Sequence, residues 1–341
     1  MKTRIWLAAL APLAACATAP VEYSGPIATV MAVNETAPMN GEGDRADDPA
    51  LWVNATDPAS SLILATNKDE GLYVYALDGG ELQELPVGRV NNVDLRGNIA
   101  VASNDEFNSI SWFRIDPETL TVSHLGNSGT DKDEPYGICA GLHGETYRAA
   151  VTYKDGTIQL WTGSWETIET VKPVLERTIQ LPSKLEGCVF DDEADRLFVG
   201  EEAFGVWTLD LSDAEAKPVP VDRIADGNGL VEDVEGMSLW LGENGAGYLV
   251  VSAQAADRYV VYDRQAPFAP VGVFSIEPNK AIGIDGVSHT DGLDVSSAIL
   301  PGFPEGILIV QDDANPIPEY EQNFKLVSWK DIATALNLNQ D

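Results

Sequence analysis

The sequence predicts an all-β fold, a six-bladed β-propeller with four-stranded antiparallel blades. Two observations lead to this prediction. Helical periodicity is nearly absent after about residue 40, where short β-branched and aromatic runs alternate with Gly, Asp and Asn turns. A loose repeat of such strand groups also recurs along the chain. No Pro-rich or Gly/Ser-rich linker separates the groups, so we expect one domain rather than two.

Each repeat opens with a polar residue before a short apolar strand. The six openings are Asp48 (DPALW), Asp94 (DLRG), Tyr136 (YGICAG), Glu186 (EGCVFD), Glu235 (EGMSLW) and Asp291 (DGLDVS). They are 46, 42, 50, 49 and 56 residues apart, a spacing that suits four strands per repeat. The early apolar segment 26–33 (PIATVMAV) has no local partner and is predicted to complete the last blade. WKDIATAL, from Trp329, is the one predicted helix.

The first twenty residues have the pattern of a bacterial export signal, with Lys2 and Arg4 before an apolar run too short to span a membrane. The run ends in LAAC, which has the form of a lipobox in which Cys16 is lipidated. We therefore predict a lipoprotein-type signal in residues 1–20 and a single propeller in 21–341. An ordinary signal peptide cut near residues 17–19 is the alternative. The protein is expected to be exported and anchored to the outer membrane through lipid alone.

Acidic residues outnumber basic residues 54 to 21, giving a formal charge of −33. This field repels nucleic acid, and an anionic ligand would need a metal to approach, although solubility alone would also explain the acidity. Cys139 and Cys188 either pair in an oxidising compartment or remain two core thiols. Since a closed ring leaves few free strand edges, we expect a monomer.

The repeat places polar residues in two rings at one end of the central channel. The strand openings given above form the first ring, in which five of six are carboxylates. The ends of the second strands form the other: Lys68, Asp105, Lys154, Glu202, Gln254 and Asp312. Turn formation explains single Asp residues, but not acids at one repeat position in five blades. Hard oxygen ligands predict calcium, whereas the scattered His124, His143 and His289 disfavour zinc.

Several segments resemble signatures of a known family. DRADDPALW and NNVDLR, followed by EGCVFDDE, EEAFGVW, DVEGMSLW, DGVSHTDGLDV and QNFKLVSW, are similar to motifs of the β-propeller phytases across about residues 40–336. The resemblance implies a calcium-dependent 3-phytase-type phosphatase that acts on phytate (myo-inositol hexakisphosphate) or related inositol phosphates, often as calcium complexes. It also implies several calcium ions and direct attack of a calcium-activated water, without a phosphoenzyme.

Matched residue by residue, the resemblance implies two sets of site residues. The expected calcium ligands are Asp47, Glu186, Glu202, Asp233, Glu235, Gln254, Asp285 and Asp291. The expected phosphate contacts are Lys68, Tyr136 and Lys154, which together with Glu202 are the expected catalytic residues. Acids at Asp48, Asp94 and Asp312 also match the family and are expected to hold strand starts or a channel calcium.

The chain departs from the family pattern at three positions. Asp105 stands where the family usually has Arg, Asp69 where a basic residue is frequent, and Asp155 where Glu is usual. A base-to-acid change at a phosphate site should weaken binding there. Arg258 is a candidate replacement from a neighbouring blade. Two other functions stay open: a calcium-propeller lactonase or esterase, and a non-catalytic propeller that binds calcium or a phosphorylated ligand.

Overall fold

The structure is a computed structural model that describes residues 22–164, 168, 170–316 and 319–339. The predicted export signal and Cys16 lie outside these residues. Within them the strands form six sheets of four or five strands and one two-stranded sheet, and the innermost strands of the six larger sheets contact one another in cyclic order. This arrangement confirms the predicted six-bladed all-β propeller. No helix in the described part of the chain is long and apolar enough to cross a membrane.

Two short strands, β1 (Ala28–Met31) and β2 (Asn34–Glu35), precede the blades. The strands of blades one to three are β3 (Ala46–Trp52), β4 (Leu62–Asn67), β5 (Gly71–Ala76), β6 (Glu81–Leu85), β7 (Val90–Arg96), β8 (Ile99–Asn104), β9 (Ser109–Asp116), β10 (Thr121–Gly129), β11 (Ile138–His143), β12 (Thr146–Thr152), β13 (Thr157–Ser164) and β14 (Val174–Gln180). Those of blades four to six are β15 (Leu185–Asp191), β16 (Arg196–Glu201), β17 (Gly205–Asp210), β18 (Val219–Arg223), β19 (Val234–Leu241), β20 (Gly247–Ala253), β21 (Arg258–Asp263), β22 (Pro270–Glu277), β23 (Leu293–Ser296), β24 (Ile307–Asp312) and β27 (Asn323–Ser328).

The remaining elements are short. A hairpin of β25 (Asn315–Pro316) and β26 (Glu319–Tyr320) interrupts blade six. The described segments contain four 3-10 turns, at Pro58–Ser60, Ile224–Asp226, Glu243–Gly245 and Gln254–Ala256. The predicted C-terminal helix is confirmed as α1 (Trp329–Leu336), which buries Trp329 and Ile332.

The core lies between the blades, because each sheet packs both faces against its neighbours. The second strands β4, β8 and β24 are buried along their whole length. The outermost strands, such as β6 and β10, are largely exposed. Inner strands are therefore nearly continuous apolar runs, and the polar residues that end them lie at the channel mouth.

The N-terminal segment pairs with the last two blades. β1 pairs in parallel with β22 of blade five (Ala28 opposite Phe274), and β2 pairs antiparallel with β27 of blade six (Asn34 opposite Leu326). The last blade is thus completed mainly by Asn34–Glu35, while most of segment 26–33 adds a fifth strand to blade five. Val30 and Ala32 are buried in the core cluster shared by these two blades.

A disulfide joins Cys139 of β11 to Cys188 of β15, with the Cα atoms 5.7 Å apart. The two cysteines, which the sequence left either paired or free, therefore connect the innermost strands of blades three and four.

Candidate active site at the channel mouth

Six residues, one from each blade, occupy equivalent positions where the first strands enter the channel. This mouth ring consists of Asp47, Asn91, Tyr136, Glu186, Glu235 and Asp291. In blades one, two, four and five the ring residue lies in a β-bulge, because the strand register shifts directly after the first paired residue. A bulge takes a side chain out of the ladder and redirects it.

The structure corrects three positions in the predicted rings. Asp47 and Asn91, rather than Asp48 and Asp94, belong to the mouth ring, because Asp48 is one residue and Asp94 three residues further down the strand. In the second ring, Asp313 replaces Asp312. The Asp313 amide donates to the Ser288 carbonyl before blade six, as the Lys68 amide donates to the Arg45 carbonyl before blade one.

A glycine follows the mouth-ring residue in four blades, at Gly137, Gly187, Gly236 and Gly292. A Cβ on Gly187 would lie 2.0 Å from the Glu235 carbonyl oxygen, and one on Gly292 would lie 2.1 Å from Asp48 Oδ1. Adjacent blades approach this closely only because no side chain intervenes. Asp47 and Asn91 are followed by Asp48 and Asn92 instead of glycine, so blades one and two lack this marker of the mouth-ring position.

Three glutamates converge at the mouth. Glu186, Glu202 and Glu235, called here the acidic cluster, each have a carboxylate oxygen within 4.8 Å of the others. Glu186 Oε2 and Glu235 Oε2 are buried and have no hydrogen-bond partner among the described residues, and neither oxygen of the buried Asp47 has one there. Unpaired buried carboxylates are costly, so this geometry fits a cation with several oxygen ligands.

Asp291 links the acidic cluster to blade one. Its Oδ2 lies 2.6 Å from Lys68 Nζ, which also contacts Asp44 Oδ1 at 2.7 Å. The other Asp291 oxygen accepts a hydrogen bond from the Gln254 side chain. The predicted ligands Asp291 and Gln254 and the predicted phosphate contact Lys68 therefore meet at one place.

Burial raises the pKa of the central carboxyl groups. It brings the pKa of Asp47 to about 7, where the charge of Lys68 opposes the rise and that of Asp291 adds to it. Burial and the neighbouring charge of Glu186 raise the pKa of Glu235 to about 12. The pKa of Glu186 is well above its usual range, because it is buried and faces Asp47 and Asp291. Without a cation these groups cannot all be ionised together at neutral pH.

Two lysines flank the ring of Tyr136. Lys154 Nζ lies 4.2 Å from the ring centroid and Lys184 Nζ lies 4.9 Å from it. Lys184, from the segment before blade four, also contacts Glu202 Oε1 at 2.7 Å. The sequence had indicated Tyr136 and Lys154 but not Lys184, since a single Lys three residues after Leu181 carries no motif.

The two remaining predicted ligands differ in their position. Asp233 precedes β19 at the mouth, where its charge acts on Glu202. Asp285 instead lies 2.9 Å from Lys325 Nζ, which also contacts Asp312 and Glu35 at 3.0 and 2.7 Å. Lys325 is fully buried and serves as the cation of this group. Asp285 and Asp312 therefore share an internal ion cluster with Lys325, and the calcium role of Asp285 stays a prediction.

The three aspartates that depart from the family pattern each form an ion pair with a nearby basic residue. Asp105 pairs with Arg89 at 3.2 Å, Asp69 with Arg45, and Asp155 with Lys132 at 2.7 Å. Arg258, considered above as a replacement cation, donates to the Gly229 carbonyl and packs on the ring of Tyr23. Arg89, rather than Arg258, is the cation beside Asp105.

Asp48 and Asp94 hold neighbouring blades together further down the channel. Asp48 Oδ2 accepts from the Val93 amide and Asp94 Oδ2 accepts from the Ala140 amide. Arg96 contacts Asp94 at 3.2 Å and Asp192 at 2.7 Å. These bonds support the expected role at strand starts, and Arg96 supplies a positive charge that the sequence did not indicate.

Three comparisons place this geometry among known proteins. The phytase family model matches residues 2–341. The chain is 36% identical to the 3-phytase of Bacillus subtilis (strain 168) over 332 residues, which covers 90% of this chain and 85% of the relative. A chain in the solved structure described as "Crystal Structure of Mitotic Checkpoint Complex" shares the fold alone, with a TM-score of 0.50 and 13% identity, covering 86% of this chain and 82% of that one.

The family match spans almost the whole chain, and the mouth of the propeller combines clustered acids with lysines. The chain belongs to the phytase family and is a phytase-type phosphoric monoester hydrolase.

Proposed function

We propose that this protein releases phosphate from phytate, or from related inositol phosphates, with several calcium ions bound at the channel mouth. The observation that carries the proposal is the set of buried carboxylate oxygens of Asp47, Glu186 and Glu235 that have no hydrogen-bond partner in the part of the chain that the structure describes. Oxygen ligands in a loose arrangement suit calcium better than smaller or softer ions.

The residues of the acidic cluster would hold the ions, together with Asp47, Asp291, Gln254 and Asp233. Calcium bound there would neutralise phosphate oxygens and make a bound water a stronger nucleophile. Lys68 is positioned to bind a phosphate beside Asp291, and Lys154 to bind one beside Tyr136. Their charges also offset the formal charge of −33, which otherwise repels a polyphosphate.

The direct test measures phosphate release from phytate by residues 22–341, with excess calcium and with chelator. We expect release that requires calcium, and its loss in Glu186→Gln with the fold retained. Glu106→Gln, at a solvent-facing turn acid, is the matched control and should keep wild-type activity. Activity that persists in chelator would refute the calcium assignment, while calcium-stabilised protein without phosphate release would indicate a non-catalytic binding propeller. Lactone hydrolysis without phosphate release would favour the lactonase class.

We also propose that the protein is an exported, monomeric lipoprotein anchored through Cys16. The disulfide between Cys139 and Cys188 supports export, since such bonds persist in oxidising compartments. Radiolabelled palmitate should enter the wild-type chain and not Cys16→Ser, and labelling of that variant would refute the anchor.

A further inference from the structure

Four consecutive blades carry the same ion pair at the channel mouth. In each, a cation from the segment before the blade contacts a carboxylate in the turn between the second and third strands. The pairs are Arg45 with Asp69, Arg89 with Asp105, Lys132 with Asp155, and Lys184 with Glu202. The repeat therefore surrounds more than half of the mouth with half-exposed positive charges, each held by an acid.

Lys184 differs from the other three in its partner. Glu202 belongs to the acidic cluster, whereas Asp69, Asp105 and Asp155 do not. The charges of Glu186 and Glu235 also act on Lys184. A cation bound at the acidic cluster would share the Glu202 carboxylate and weaken its hold on the Lys184 ammonium group.

The position of Lys184 also suits a phosphate. It flanks Tyr136 from the segment before blade four while Lys154 flanks the same ring from blade three, so two ammonium groups border one aromatic ring. In a ring of six, blade four lies opposite blade one, which supplies Lys68. A ligand with several phosphates can reach cations on both sides of the mouth, and a ligand with one phosphate cannot.

We propose that Lys184 binds a second phosphate group of the substrate and selects inositol polyphosphates over small phosphomonoesters. This inference rests on the proposed phytase function and adds a residue to it. Lys184 is a specificity residue in this proposal, because it would bind a phosphate across the mouth from the one held by Lys68 beside Asp291. The chemistry is a charge-assisted contact between ammonium and phosphate oxygen.

The test compares Lys184→Gln with Lys132→Gln. Lys132 is a matched control, since it also pairs with a turn acid and lies 5.2 Å from a tyrosine ring centroid, that of Tyr153, but its partner is outside the acidic cluster. We expect Lys184→Gln to raise the KM for phytate about tenfold, the loss typical of one such contact, with kcat nearly unchanged. The KM for p-nitrophenyl phosphate should stay the same, Lys184→Arg should restore phytate binding, and Lys132→Gln should resemble wild type.

A binding measurement separates this inference from the proposed function. Calorimetry with myo-inositol hexasulfate in excess calcium reports polyanion binding without turnover, and Lys184→Gln should bind about tenfold more weakly. Equal loss of kcat on both substrates, or equal effects of the two glutamine variants, would overturn the role of Lys184. If wild type binds the hexasulfate through Lys184 but releases no phosphate from phytate, the proposed function fails and the binding role stands.

Discussion

The substitution Asp47→Asn tests whether the buried charge of Asp47 lowers the stability of the calcium-free protein and serves instead to bind a cation. Asp47 is fully buried, and neither carboxylate oxygen has a hydrogen-bond partner within residues 22–164, 168, 170–316 and 319–339. Its pKa is raised by burial from 3.8 to about 7, so the folded protein binds this proton more tightly than the unfolded chain. The stability of the calcium-free protein therefore falls as pH rises through this window, and the full penalty applies above pH 7.

The magnitude follows from the shift. A difference of about 3 pKa units at about 1.36 kcal/mol each gives at most about 4 kcal/mol above pH 7. Asn removes the charge but keeps the shape. In chelator at pH 8, the free energy of unfolding of Asp47→Asn should therefore exceed that of wild type by up to about 4 kcal/mol. This difference should shrink toward zero near pH 4.

Calcium should reverse this order. Excess calcium should raise the free energy of unfolding of wild type strongly and that of Asp47→Asn much less, because the variant lacks one anionic ligand. The assay is urea denaturation at pH 4, 6 and 8, with chelator and with calcium. A variant that is less stable than wild type in chelator at pH 8, or that gains equally from calcium, would refute the reasoning.

Three further predictions concern other parts of the ring. Replacing Cys139 and Cys188 by Ser removes a crosslink between positions 49 residues apart and should cost about 4 kcal/mol in urea unfolding; no loss would show that the chain-entropy account fails here. Lys325→Met leaves three carboxylates without their buried cation and should cost about 3–5 kcal/mol, whereas the exposed Lys330→Met should cost almost nothing by the same assay. Burial raises the pKa of Asp294 to about 6, so Asp294→Asn should gain stability relative to wild type as pH rises from 4 to 7; a difference independent of pH would contradict this.

The fold was predictable because its signals are local and repeated. Apolar runs such as LILATN and GILIVQ, separated by Gly and Asp turns, mark strands wherever they occur. Their spacing then fixes the number of blades. The path of the N-terminal segment was less predictable, since its pairing partners Phe274 and Leu326 are far away in sequence.

The site was predictable in type but not in register. The bulge between Ala46 and Pro49 decides that Asp47 rather than Asp48 belongs to the mouth ring, and no composition rule marks a bulge. Asp285 illustrates a second limit. Only tertiary packing shows that Lys325, about 40 residues later in the sequence, already neutralises it. Lys184 likewise can be assigned to the site only from its contacts with Tyr136 and Glu202 in the folded protein.

The pairing of the N-terminal strands has a consequence for the order of assembly. β1 and β2 leave the ribosome before the blades but pair with β22 and β27, which leave it only after at least four blades have been made. Blades one to four can form from consecutive hairpins during synthesis, whereas closure of the circle awaits release of the complete chain. Until then the outer edges of the last two blades present unpaired backbone groups that can capture another chain. The closing step is thus the most non-local and the most exposed to aggregation, so a truncation through Glu35, which removes both β1 and β2, should leave an open ring that self-associates.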